Sequence, residues 1–331
     1  AFRFASSSGS ELAGRRIFAP RTVEYVTRNF TGDMVDQYMG MPMHRGLGPH
    51  SRGTTDNIRG LGALASPEEV GLSAERLGRI SSVLKAHVDE GRLPGASALV
   101  ARHGKVAYFE TFGFQDRAAG VPMTKDSIFR IYSMTKPITA VAALMLQEEG
   151  KLQISDPVAM HIQPFKSLKV GVEKTDLATG KITLERVDPN RPMTVQDLMR
   201  HTAGLTYGSR GSAYEAVKTL YREAKIGSRD DTNAGLVDKL ANIPLTFHPG
   251  TRWEYGVSTD VLGRVVETVS GQSLGQFFET RIFKPLGMND TAFHVPADKL
   301  ARAAQPWSRP GGPEQTPRFD VAVPPKYESG G

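Results

Sequence analysis

The sequence predicts an α/β protein, an antiparallel sheet flanked by helices, with a mostly helical lobe inserted. Three observations carry that expectation. Residues 67–91 have the apolar spacing of an amphipathic helix, and an alternating pair of segments around His103-Gly104 follows them. Residues 155–249 then turn polar, with short helical stretches between glycines and prolines. A helix followed by antiparallel strands and a helical insertion is a sandwich, not a bundle or barrel. With 331 residues the chain exceeds the size at which one core usually stops growing, so two lobes or one large domain with a lid are expected.

In residues 67–91, Leu72, Leu77, Ile80, Val83, Leu84 and Val88 recur at mostly three- and four-residue intervals, and Ser73 stands where a helix cap belongs. Residues 95–100 and 105–112 read as the two strands of a hairpin. Over 137–150 a second helix buries Ile138, Val141, Ala142, Leu144 and Met145 and stops at Gly150. In the polar stretch, 195–200 and 234–240 read as short helices; 261–270 and 274–282 read as two more. Beyond Pro296, Gly and Pro dominate again. The expected division is an α/β lobe over 67–154, a mostly helical lobe over 155–295, and a return toward the first lobe over 296–331.

Composition narrows the function. Hydrophobic residues make up 39% and charged residues 23%, the profile of a globular enzyme. The 41 basic against 35 acidic residues leave a charge of +6, but no Lys/Arg run is interleaved with aromatics, so no nucleic-acid partner is expected. There is no cysteine, which excludes a disulfide framework, a thiolate zinc site and a cysteine nucleophile. Neither H-E-x-x-H nor a paired-carboxylate spacing occurs, so no metal and no cofactor are expected. No stretch approaches the roughly 18 apolar residues that span a bilayer, and residues 1–14 lack the order of a signal peptide. A soluble, cytoplasmic protein without a membrane partner is the expectation. Its oligomeric state is open.

A serine becomes a nucleophile when a neighbouring base takes its proton. In Ser133-Met134-Thr135-Lys136, a helix beginning near Ser133 puts the serine and the lysine on one face, three residues apart. It also gives the serine the free N–H groups of a helix start, which favour a developing oxyanion. Pro137 and the apolar residues after it bury the helix, which favours an uncharged lysine able to accept the proton. S-x-x-K alone is common by chance, but here an apolar, strand-like run over 127–132 precedes it and a helix follows. That stretch resembles the nucleophile segment of class C β-lactamases, serine DD-peptidases and family VIII carboxylesterases.

Two further segments carry the same resemblance. Pro249-Gly250-Thr251-Arg252-Trp253-Glu254-Tyr255-Gly256-Val257 is similar to the family's tyrosine loop. The resemblance makes Tyr255 the residue hydrogen-bonded to the motif lysine, Lys136, which shuttles protons with it; a tyrosine does this only beside a cation. Thr194-Val195-Gln196-Asp197-Leu198-Met199-Arg200-His201-Thr202-Ala203-Gly204-Leu205 resembles a shared helix-and-loop segment in which the histidine braces the loop, so His201 is read as structural.

The sequence departs from the family at three places. Val257 stands where class C β-lactamases carry an asparagine, which favours esterases over lactam hydrolysis. Residues 1–66 resemble carboxyl-terminal family material placed before an amino-terminal start at Pro67, as a circular permutation, a rearrangement or concatenated segments would produce. Residues 20–29 read there as a helix whose Val23 and Val26, with Phe30 beyond them, need the sheet of 95–100 and 105–112 as an apolar surface. The third motif, on the strand beside the serine, is not recognisable; losing its oxyanion N–H costs on the order of 10²–10³ in rate. The resemblance thus implies a β-lactamase/DD-peptidase-like fold and a serine carboxylesterase for short-chain esters. Ser133 would be acylated, and Lys136 and Tyr255 would move the protons on a small-molecule ester or β-lactam. The rival readings are a β-lactamase or D-amino-acid peptidase on the same residues, and a non-catalytic member of the fold.

Overall fold

The computed structural model describes residues 64–180, 182–209, 211, 214–308 and 320–330, together with four two-residue strands paired as β1 (Glu11–Leu12) with β2 (Arg15–Arg16) and β3 (Val35–Asp36) with β4 (Met41–Pro42). The helix expected over 20–29, and the packing expected for residues 1–63, lie outside the described residues. Leu64 bridges Val106 in parallel, and Ala65 N donates to Val106 O at 3.1 Å.

Ser73 starts α1 (Ala74–Asp89), its Oγ accepting from Arg76 N at 3.3 Å. The helix lies on β5 (Gly95–Arg102) and β6 (Lys105–Asp116). It buries less than its periodicity promises: Val88 is buried, Leu77, Ile80 and Leu84 are half-buried, and Val83 is 54% exposed. The two strands pair antiparallel from Gly95↔Gly113 to Arg102↔Lys105, with a bulge at Val100/Ala101. His103 (φ 51°) and Gly104 (φ 72°) close the hairpin; two left-handed residues in succession match the twist of the flanking strands. β6 runs four residues further than expected and takes β7 (Val121–Pro122) on its far edge.

The strand-like run before the serine is not a strand. Ile128 makes one bridge to Ala303, Arg130 Nη1 donates to Ala304 O at 2.6 Å, and the chain then tightens into a 3₁₀ turn at Tyr132–Met134. Its apolar residues serve that single neighbouring segment. The turn runs straight into α2 (Thr135–Glu148). This helix starts two residues earlier than expected and buries only part of the expected face: Ala142 and Leu144 are inside as expected, with Lys136, Thr139, Ala140, Ala143 and Leu146, while Ile138, Val141 and Met145 are half-buried. The small residues form the seam against α6 (Ser258–Ser270), which itself starts three residues earlier than expected.

The inserted lobe contains a hairpin that the sequence did not announce, β8 (Val170–Thr175) paired with β9 (Ile182–Val187). Beyond Val170 and Gly171 both its faces stay at least partly exposed, so no apolar alternation marks it. Around it lie α3 (Val195–Met199), the unanticipated α4 (Glu215–Glu223) and α5 (Asn233–Leu240). After α6, α7 (Leu274–Phe278) continues through a π-helical turn, Glu279–Phe283. Leu144, Leu198, Leu236, Leu262 and Phe277, from α2, α3, α5, α6 and α7, meet in one core. Among the described residues no helix is long and apolar enough to cross a membrane.

One buried charge organises the loop after α3. Asp197 closes a capping box with Thr194 and accepts from Arg191 Nη1 (2.6 Å) and Nη2 (2.9 Å), Arg200 Nη2 (2.9 Å) and Thr202 Oγ1 (2.8 Å). Burial pushes its carboxyl up, but these donors outweigh burial and hold it well below the usual carboxylate range. A depressed folded pKa contributes stability that is present above the unfolded value and lost as pH falls. Asp197→Ala strands two arginines, so a loss of about 3–5 kcal/mol is expected in urea unfolding at neutral pH, shrinking toward pH 3. A loss that stayed constant across that range would contradict the assignment.

Candidate active site

Ser133 sits in the 3₁₀ turn, exposed, two residues ahead of α2. Tyr132 before it is left-handed (φ 44°), a conformation that costs a non-glycine residue of order 1–3 kcal/mol and that clusters at functional sites. Thr135 Oγ1 donates to Tyr132 O at 2.7 Å and fixes the turn. The three-residue spacing from Ser133 to Lys136 survives the change of helix type. Lys136 is 0% exposed, and its Nζ donates to Ser133 Oγ at 3.4 Å.

Tyr255 reaches the same oxygen from the loop before α6, Oη donating to Ser133 Oγ at 2.7 Å. The three residues singled out in the sequence, Ser133, Lys136 and Tyr255, are thus brought together. Their connectivity differs from the one the resemblance implied: the phenol bonds the serine, and Lys136 Nζ lies 4.6 Å over the Tyr255 ring, a cation–π placement. Local sequence explains why Tyr255 points there. Gly250 is left-handed (φ 86°), and its N donates to Thr202 O at 2.8 Å, tying the tyrosine loop to the α3 loop. A Cβ on Gly256 would lie 2.6 Å from Thr206 Cα, so only glycine lets the two loops touch.

His201, left-handed at φ 59° and buried, packs its ring 4.9 Å from the Tyr255 ring and 5.8 Å from Trp253. Trp253 stacks on Tyr255 at 6.2 Å. This places His201 behind the tyrosine as packing, in keeping with a structural histidine. Val257 is also not at the mouth of the site: it is 1% exposed in the hydrophobic core at the start of α6, and so offers substrate no polar group.

Two features escaped the sequence. Tyr207, two residues beyond the His201 segment, accepts a hydrogen bond from Lys136 Nζ at 3.3 Å and meets the Tyr255 ring edge-on at 5.5 Å; its signal was only a tyrosine between Thr206 and Gly208. The second is the segment 327–330, which closes the site from behind. Thr139 Oγ1, one turn after Lys136, donates to Gly330 O at 2.7 Å, and Gly275 N donates to Glu328 Oε2 at 2.7 Å. The hydroxyls of Ser329 and Tyr327 donate to the buried carboxylate of Asp260 on α6. A Cβ on Gly330 would lie 2.2 Å from Thr259 O, so glycine is required there. Among the described residues no group of three metal-ligating side chains occurs.

Burial raises the Asp260 carboxyl above its usual range, against the pull of Ser329, Tyr327 and the charge of Lys136. A raised folded pKa favours the protonated carboxyl, so its stability contribution is present below the unfolded value and lost as pH rises. Asp260→Asn mimics the neutral form. The melting temperature of Asp260→Asn relative to the unaltered protein is therefore expected to climb from about pH 4 to pH 7; a difference that falls over that range would refute the raised pKa.

Comparison with known proteins identifies the family. The β-lactamase family model covers residues 80–329. Esterase EstB of Burkholderia gladioli is 36% identical over 232 residues, which are 70% of this chain and 55% of EstB. Lovastatin esterase of Penicillium rubens is 30% identical over 218 residues, 65% of this chain and 52% of that enzyme. Among solved structures, the simvastatin synthase LovD of Aspergillus terreus superposes with a TM-score of 0.58 at 27% identity, over 70% of this chain and 57% of LovD. EstCE1, a hydrolase with promiscuous acyltransferase activity, does so at 0.57 and 28%, over 75% and 58%. The chain spans about half the length of the curated relatives it matches. With a family model that covers residues 80–329 and an α/β fold shared with these structures, the chain belongs to the β-lactamase family.

Proposed function

We propose that the protein is a serine carboxylesterase that acts on small-molecule esters through an acyl-enzyme on Ser133. The observation that carries this reading is the convergence of Tyr255 Oη at 2.7 Å and Lys136 Nζ at 3.4 Å on one serine oxygen. In the first half-reaction the Ser133 hydroxyl proton passes to the Lys136–Tyr255 pair while Oγ bonds the ester carbonyl carbon. The Ser133 N–H, in the turn that opens α2, donates to the oxyanion. The carbon–oxygen bond to the alcohol then breaks, the alcohol leaves with the proton held by the pair, and the acyl group stays on Oγ. Water repeats the sequence in the second half-reaction, freeing the acid and returning the proton to Ser133. Both proton carriers already reach Ser133 Oγ, and the reaction as written calls on no cofactor.

The choice of esters rests on Val257, an apolar side chain turned into the core, and on the names of the relatives EstB and lovastatin esterase. p-Nitrophenyl esters of short acids are expected to show a higher kcat/KM than cephalosporins; the reverse order would favour a β-lactamase on the same residues.

Ser133→Ala is expected to abolish both turnover and labelling by a fluorophosphonate while the melting temperature stays within a few degrees, since one exposed oxygen is lost. Retained turnover in that variant would sink the nucleophile assignment. Tyr255→Phe and Lys136→Ala should each lower kcat by about two orders of magnitude or more. Their double variant should be hardly worse than either alone, because both serve one proton path. Losses that added in free energy would show two independent roles.

A further inference from the structure

Lys136 is buried, and an ammonium or amine in that position has several hydrogen-bonding directions to satisfy. Ser133 Oγ takes one at 3.4 Å, and Tyr207 Oη takes another at 3.3 Å. The Tyr255 ring covers a third side at 4.6 Å. The amine is therefore held between two hydroxyls at nearly equal distance, above an aromatic face. Tyr255 donates to the serine oxygen at 2.7 Å, and Tyr207 supplies the second oxygen that accepts from the lysine.

Tyr207 is well anchored for that task. It sits between Thr206 and Gly208 on the loop that follows α3. Gly208 is left-handed (φ 73°) and a Cβ there would lie 2.4 Å from Tyr221 Cβ; its N donates to Thr206 Oγ1 at 3.2 Å. Thr206 N donates to the buried Tyr221 hydroxyl at 3.4 Å, and Gly204 O, earlier in the loop, accepts from Thr246 N at 2.8 Å. The loop is thus pinned on both sides of Tyr207. The Tyr207 ring meets the Tyr255 ring at 5.5 Å and 65°, so the two phenols brace each other. Its side chain is 36% exposed, unlike the lysine it holds, and needs no tertiary role in the core to explain its place.

We propose that Tyr207 is a positioning residue for the acyl-transfer step: its hydroxyl accepts from Lys136 and keeps the amine aimed at Ser133 Oγ. This rests on the serine-hydrolase reading above. Without that oxygen the amine has one anchor fewer and swings off the serine, and misplacing a reacting group by about 1 Å costs on the order of 10²-fold in rate.

The test compares Tyr207→Phe, which removes the hydroxyl and keeps the ring, with Tyr207→Leu, which removes both, using a p-nitrophenyl ester and fluorophosphonate labelling. Rates are expressed per labelled Ser133, so a variant that folds less completely is not mistaken for a slow one. Tyr207→Phe is expected to lower kcat and the labelling rate about 10- to 100-fold with KM little changed. A wild-type kcat in Tyr207→Phe with a fall only in Tyr207→Leu would assign Tyr207 to ring packing and overturn the proposal. A raised KM at unchanged kcat would make it a substrate contact and overturn it as well. Ser133→Ala in parallel separates the two levels: turnover there defeats the serine-hydrolase reading, whereas wild-type kinetics in Tyr207→Phe defeat the role of Tyr207 alone.

Discussion

The structure is arranged around the burial of one amine. A lysine at 0% exposure is among the most expensive side chains to place inside a protein, and it persists only where hydrogen bonds and charge compensate. Lys136 obtains these from three places far apart in sequence: Ser133 on its own helix, Tyr207 on the α3 loop and the ring of Tyr255 on the loop before α6. The small residues of α2 admit α6 closely enough for this, and the glycines at 204, 208, 250 and 256 let the loops approach one another. Asp197 and its two arginines then hold the α3 loop in place from outside. The loops and ion pairs after α3 and before α6 thus serve a site whose nucleophile stands at the start of α2.

Much of this was legible in the sequence because the decisive contacts are local or carried by motifs. Ser133 and Lys136 share a face through spacing alone, and Ser73 and Gly150 mark element ends through cap chemistry that needs no tertiary partner. The hairpin at His103-Gly104 is equally local. Tyr255 was legible through the resemblance of residues 249–257 to the family's tyrosine loop, although its bond to the serine was not.

What escaped has a common physical origin. The β8–β9 hairpin buries too little to carry an alternating pattern, and the stripe of α2 that goes inside is chosen by its neighbour α6, not by hydrophobicity. Ile128 to Ile131 look like a strand because they are apolar, but a strand requires a ladder, and here one bridge exists. Tyr207, Asp260 and the segment 327–330 owe their meaning to residues tens to nearly two hundred positions away. Periodicity has no access to such pairs.

The tie between Thr139 and Gly330 spans 191 positions, and that between Asp260 and Ser329 spans 69. Contacts of such separation are slow to form, because the entropy of closing the intervening chain is lost before the contact returns anything. Helices α2 and α6, held by contacts within a few residues of each other, can form before segment 327–330 reaches Thr139 and Asp260, so the backing of the buried lysine depends on the contacts that close late.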